Sequence, residues 1–200
     1  MKIETLNLKD TNCYLISSEN AAIVIDPGYK SDIPEKFLKE NCDKEGLILL
    51  THAHFDHIGD AERLRDICNV KIAIGKYDNP ALSDSVINEG EGFGIYVNPF
   101  SADILLNDDE TFYVGDLKIK TIRAKGHTVG GVCYLINDVL FSGDILFRHG
   151  FGNTCFHGGS RRGIFESLNM LFNSFSLQTA VYPGHGETTT IGDEKKYYGR

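Results

Sequence analysis

Thr51-His52-Ala53-His54-Phe55-Asp56-His57 follows directly on the apolar run Leu47-Ile48-Leu49-Leu50, and this passage decides how the rest of the chain is read. A short apolar run bounded by polar residues has the character of a buried strand. Three imidazoles and a carboxylate then stand within six positions, just where that strand ends, and a turn there can aim all four inward. Neutral imidazole and carboxylate together make a donor set for divalent first-row metals, zinc first, with the carboxylate also admitting iron or manganese. The bland alternative is a solvated turn in which three histidines happen to be close.

Three later segments weigh against that alternative. Gly126-His127-Thr128, Ser142-Gly143-Asp144 and Pro183-Gly184-His185-Gly186 each follow an apolar, strand-like stretch, with a glycine beside the ligand type that lets backbone approach closely. A lone loop histidine says little. Several strand ends that each deliver a metal-ligating side chain describe one composite site.

Working outward, Lys2 to Leu8, Thr11 to Ser17 and Ala21 to Ile25 are predicted strands, and Asp26-Pro27-Gly28 closes the third. Ile33, Phe37 and Leu38 recur at helical spacing between Ser31 and Asn41. Downstream, Asp60 to Cys68 carries helical spacing and Lys71 to Ile74 is strand-like. The segment Ser83 to Ser101, with Gly90, Gly92, Gly94 and Pro99, is expected to be an irregular loop at the site mouth. Phe112 to Val114, Leu117 to Arg123, Gly131 to Ile136 and Val139 to Phe141 are expected strands, Gly163 to Phe175 a helix, and Ala180 to Tyr182 a last short strand. Lys195 to Arg200 is expected to be a short terminal helix or tail. Strand-rich halves that each pick up helices suggest two sheets packed face to face with helices outside, in a single α/β domain spanning residues 1–200.

Composition narrows the function classes. With 42% hydrophobic and 24% charged residues the chain is ordinary globular material. No basic leader with a long apolar stretch opens it and no apolar run reaches membrane-spanning length, so a soluble cytoplasmic protein without a membrane partner is expected. Five scattered cysteines, Cys13, Cys42, Cys68, Cys133 and Cys155, with no CxxC pair, suggest reduced thiols. A formal net charge of -8 and the lack of a basic run argue against a nucleic-acid partner and for a small-molecule substrate. Oligomeric state is not legible.

The order His-x-His-x-Asp-His, then His127, Asp144 and His185, resembles the metallo-beta-lactamase superfamily. Ser142-Gly143-Asp144-Ile145-Leu146-Phe147, Gly158-Gly159-Ser160 and Tyr182-Pro183-Gly184-His185-Gly186 are similar to its short, single-domain glyoxalase II-like members (hydroxyacylglutathione hydrolase-like). The resemblance implies a four-layer αββα sandwich of two mixed sheets with helices on the outer faces. It implies two divalent ions: His52, His54 and His127 hold the first, Asp56, His57 and His185 the second, and Asp144 bridges. It further implies hydrolysis of a small thioester or ester-like acyl substrate by a metal-bridging hydroxide, with Asp56 and Asp144 as the catalytic carboxylates. True beta-lactamases of the family usually carry Cys at the position of Asp144, which disfavours antibiotic hydrolysis.

The short members commonly read Gly-Arg-x-Asp where this chain has Gly152-Asn153-Thr154-Cys155, so a fork for a substrate carboxylate is missing. Arg148, His149, Asn153 and His157 are the candidate substrate contacts, with Arg161 and Arg162 as further cations. Cys155 is either a small packed side chain or a site thiol. The extra helical region that binds glutathione in long glyoxalase II enzymes is not matched. Two alternatives stand beside this reading: an iron-dependent, persulfide dioxygenase-like oxidation, which shares most of the ligand set while using one iron, and phosphodiester hydrolysis, which binuclear sites also perform.

Overall fold

The computed structural model describes residues 1–199, and Arg200, the last residue of the expected tail, lies outside them. The chain runs β1 (Lys2–Leu8), β2 (Thr11–Ser17), β3 (Ala21–Ile25), α1 (Asp32–Glu40), β4 (Glu45–Leu50), α2 (Phe55–Ile58), α3 (Ala61–Cys68), β5 (Lys71–Gly75), a 3-10 turn (Asn79–Ser83), α4 (Gly90–Phe93) and β6 (Ile104–Leu106). It continues with β7 (Thr111–Val114), β8 (Leu117–Arg123), β9 (Val132–Ile136), β10 (Val139–Gly143), α5 (Arg161–Ser174), β11 (Ala180–Pro183), β12 (Thr189–Thr190) and α6 (Ile191–Tyr198). Strands β1 to β6 lie in sequence order in one sheet and β12 to β7 in the reverse order in the other. Both sheets are mixed: β3, β4, β5 and β6 are parallel neighbours, as are β10 and β11, and the remaining pairs are antiparallel.

Alternate residues of a strand face opposite sides, and this period sorts the apolar side chains into three cores. Between the sheets, Ile16, Ile23, Leu49 and Ala73 meet Ile119, Tyr134, Ile136 and Phe141. On the other face of the first sheet, Leu15, Val24, Ile48 and Ile72 pack under Leu38 of α1 and Leu64 of α3. On the other face of the second, Ile122, Cys133, Leu140 and Val181 pack under Ile164, Leu168 and Leu171 of α5 and Ile191 of α6. The layer order is therefore helix, sheet, sheet, helix, as expected.

Local chemistry sets the helix starts. Ser31 caps α1 by accepting from Ile33 N, with Asp32 and Glu35 in the first turn and Lys39 in the last, matching the helix dipole. Ser160 caps α5 through Gly163 N, and Thr190 caps α6 through Asp193 N. Helix α6 thus begins four residues before the expected tail, because buried Ile191 anchors it in the third core. The expected loop at 83–101 holds one helical turn, α4, and is otherwise irregular. No helix among the described residues is long and apolar enough to cross a membrane.

This topology carries β3, β4, β10 and β11 to one edge. Parallel pairing of β3 with β4, Ile25 opposite Leu49, sets Asp26 beside the start of the histidine motif. A register shift between Phe141 and Gly143 in the β10–β11 pair brings Asp144 next to Gly184. At this edge the sheets are tied together: Tyr134 OH donates to Leu50 O at 2.7 Å, Val132 N to Thr51 O at 2.9 Å, and Asn12 N to Gly184 O at 2.7 Å.

Candidate metal centre

All seven expected ligands converge at that edge. His52, His54 and His127 each place one ring nitrogen in a group whose atoms lie within 4.8 Å of one another, and Asp56, His57 and His185 form a second such group. Asp144 joins the two: its Oδ2 is 3.3 Å from His127 Nε2 and 3.4 Å from His185 Nε2, and its Oδ1 is 3.4 Å from His57 Nε2. Glycine is required beside it, since a Cβ on Gly184 would overlap Asp144 Oδ1.

The hydrogen bonds show which ring nitrogens are free. His127 Nδ1 donates to Asn153 O and His185 Nδ1 to Asp10 O, both at 2.8 Å; a carbonyl only accepts, so each Nδ1 carries a proton and each Nε2 is the nitrogen left to face a metal. His57 Nδ1 donates to Asp26 Oδ2 at 2.9 Å. Thr51 Oγ1 gives its own hydrogen to Asp26 Oδ2 at 2.6 Å, which leaves it to accept from His52 Nδ1 at 3.0 Å. Asp26 also groups with His52 and His57 as a potential ligand set, but its oxygens already accept from Thr51 N, Thr51 Oγ1 and His57 Nδ1, so it orients ligands rather than being one.

A cation fits this donor set. Six buried side-chain polar atoms among the described residues lack a hydrogen-bond partner, and four of them are His52 Nε2, His54 Nε2, His127 Nε2 and Asp144 Oδ1. Native interiors rarely leave such atoms orphaned, because each costs about 1–3 kcal/mol. Lone pairs gathered this closely are what a divalent ion requires.

The two groups differ electrostatically. Burial, reinforced by the neighbouring imidazoles, pulls His52 well below the usual range, and burial with His127 pulls His54 down to about 3, so both are neutral and ready to ligate. Burial also lowers His57, but Asp56, Asp144 and Asp26 more than offset it and raise it to about 9. For His185, burial is likewise outweighed by Asp144 and Asp56, which raise it to about 11. Asp56 and Asp144 resist their own desolvation and stay below the usual carboxylate range, chiefly through His57 and His185.

A pH dependence follows with a definite sign. A ligand whose metal-free pKa is raised binds protons in competition with the cation, and the competition grows as pH falls. The Asp56–His57–His185 group should therefore lose its ion first on acidification from pH 8 to pH 5, while His52, His54 and His127 retain theirs. Metal per chain after dialysis at each pH checks this; simultaneous loss of both ions would contradict it.

The four candidate substrate contacts are dispersed. Arg148 pairs with Glu187, and His149 stacks on Tyr197 with ring centroids 4.6 Å apart. Both line a cavity of about 520 Å³ beside α6 that includes none of the seven ligands. Asn153 acts through its carbonyl on His127, while its side chain accepts from Cys155 N. His157 lines a cavity that His54 also borders. Cys155 is exposed rather than packed. Arg161 and Arg162 are exposed at the start of α5, and Arg162 pairs with Glu166.

Several functional neighbours were not anticipated. Thr11 Oγ1 donates to Asp56 Oδ2 at 2.9 Å. Asp78, buried, accepts from Thr128 Oγ1, Gly130 N and Ala53 N, bracing the His52–His54 and His127 turns. Phe156 stands edge-on to His54 with ring centroids 5.6 Å apart, and Phe93 of α4 packs between Phe156 and Phe55. The 83–101 loop therefore does reach the site, as expected. An aromatic in an irregular loop gives no sequence signal of such a role.

The family model described as Metallo-beta-lactamase superfamily matches residues 6–185. The chain is 35% identical to a probable polyketide biosynthesis zinc-dependent hydrolase, BaeB, of Bacillus velezensis, over 86% of this chain and 72% of that protein. It is 30% identical to the hydroxyacylglutathione hydrolase GloC of Haemophilus influenzae, over 92% and 90%. Among solved structures, BLEG-1 B3 metallo-beta-lactamase superposes with a TM-score of 0.90 at 30% identity, covering 98% of this chain and 97% of that one. TTHA1623 in a di-iron-bound form gives 0.82 at 28%, covering 98% of each chain. ETHE1 from Myxococcus xanthus gives 0.80 at 26%, covering 98% and 83%.

Proposed function

The chain belongs to the metallo-beta-lactamase superfamily, and from that premise we propose that it is a binuclear metal-dependent hydrolase of a small thioester or ester-like acyl substrate. The observation that carries this reading is Asp144, set between His127 of one ligand group and His57 and His185 of the other. His52, His54 and His127 would hold one ion, Asp56, His57 and His185 the second, with Asp144 shared; zinc is the metal we propose. When bound, such a pair supplies an activated water as nucleophile and polarises the substrate carbonyl.

The chain's own groups do the rest. Asp56, kept ionised by His57 and His185 and fixed by Thr11, is an acceptor that can orient the proton of the attacking water. Phe156, backed by Phe93, covers one side of His54 and His127. Nearby side-chain nucleophiles are already committed: Ser142 Oγ donates to Leu146 O at 2.7 Å, and burial raises the Cys133 thiol. With Asn153 in place of an arginine, no guanidinium at that position would select a substrate carboxylate.

The test is to purify the protein without added metal and measure zinc, iron and manganese per chain. The same sample is then assayed against thioesters, lactones, persulfides and a chromogenic cephalosporin. Two ions per chain with thioester or lactone hydrolysis is the expected result. One iron with oxygen uptake on persulfide, cephalosporin as the preferred substrate, or silence on every ester with both ions in place would sink the proposal.

A further inference from the structure

Beside the metal ligands lies a second cavity, of about 150 Å³, whose walls are largely carbon: Tyr77, Pro80, Ala81, Ile87 and Val129. Its buried Asp78 and Thr128 are spent on one another and on backbone, since Asp78 accepts from Thr128 Oγ1 at 2.7 Å and from Gly130 N at 2.6 Å. The buried polar atoms there therefore offer an occupant little, and the space favours apolar groups. His54 belongs both to this wall and to the first ligand group. A group seated in the cavity would thus lie against a residue of the reacting centre.

The rim is built to persist. His157 stands on it, and its amide donates to Glu89 Oε1 at 2.7 Å, tying the 151–159 loop to the 83–101 loop. Phe93 packs edge-on to Phe156 at 5.9 Å between centroids, joining the same two loops. Tyr77 is held from outside by Arg123, whose guanidinium lies 3.9 Å from the ring centroid while donating to Val129 O at 3.0 Å. Two residues of the lining, Tyr77 and Val129, are thereby held by one side chain.

We propose that this cavity is the specificity pocket of the enzyme, and that it takes an aliphatic or phenyl arm of the substrate of about six carbons. The size comes from volume: an apolar cavity of roughly 150 Å³ holds a benzene-sized guest. The inference rests on the acyl-hydrolase reading for its kinetic arm but not for its binding arm. The apolar arm can belong to the acyl half of a thioester or to its thiol half, and the two are distinguished by lengthening each in turn.

The kinetic arm measures kcat/KM for acyl thioesters from two to ten carbons on a fixed thiol, then for thiols of the same lengths on an acetyl group. One of the two series should gain about fourfold per methylene up to about six carbons and then level or fall. Val129→Phe, at a half-exposed position where folding is not at stake, should abolish the gain, and Ile87→Ala should move the optimum to longer chains. The binding arm uses metal-free protein titrated with 1-hexanol, read by NMR at the methyls of Ala81, Ile87 and Val129. Saturable shifts there, lost at Ala81 and Ile87 in Val129→Phe, are expected even if every thioester proves inert, which separates failure of the pocket from failure of the hydrolase assignment. Two flat chain-length series, a profile that both variants leave unchanged, or hexanol that fails to shift those methyls would overturn the pocket.

Discussion

Asp144→Ala is expected to strip metal from the protein and lower turnover by more than the 10²- to 10³-fold typical of losing a single oxyanion donor. The reason is position. Asp144 lies among His57, His127 and His185, so its removal takes a donor from both ligand groups at once. It also removes a carboxylate that offsets the burial of His57 and His185, leaving those imidazoles with Asp56 as their chief counter-charge. Asp144→Asn keeps the shape and tests the charge: it should retain more metal than alanine yet remain severely impaired. Metal per chain by elemental analysis, alongside turnover of the preferred ester, checks both. An alanine variant with two ions and normal turnover would defeat the assignment.

The ease with which these seven residues could be read has a physical basis. In 52–57 four donors are contiguous and follow a strand whose apolar character is unmistakable, so local sequence carries them. His127, Asp144 and His185 were legible because each ends a strand beside a glycine that close approach requires, as the overlap of a Gly184 Cβ with Asp144 illustrates. The layering was legible because strand-rich halves each pick up helices. Strands β6 and β12 were not, being three and two residues long and held by pairing with one neighbour each. Arg148 and His149 show the opposite error, of taking nearness in sequence for nearness in space. Only four and five residues beyond Asp144, they follow a chain that turns back between Phe147 and Gly150, with His149 at a φ of 62° and its amide held by buried Glu194. Asp78 and Phe156 are placed by contacts across loops, for which one sequence offers no pattern.

Asp26 is the clearest case of a role hidden in register, and it carries the second large expectation. Asp26-Pro27-Gly28 marks the end of a strand and resembles the glyoxalase II branch but names no role, whereas pairing of β3 with β4 sets the Asp26 carboxylate under Thr51, with both oxygens accepting. Through Thr51 it fixes His52 of one ligand group, and directly it fixes His57 of the other. Asp26→Asn replaces one acceptor oxygen with an amide NH2, so either Thr51 N or the pair Thr51 Oγ1 and His57 Nδ1 then faces a donor. Leaving such buried donors unpaired should cost about 3 kcal/mol, which for a chain of this size lowers Tm by roughly 6–12 °C. Loosened imidazoles should also weaken metal binding about 10- to 100-fold. The two effects separate experimentally, because the first appears as a lower Tm in chelator-treated protein and the second as a smaller rise in Tm when zinc is added. If Asp26→Asn melts with the parent in chelator and gains as much from zinc, the carboxylate neither braces the strand end nor orients the histidines.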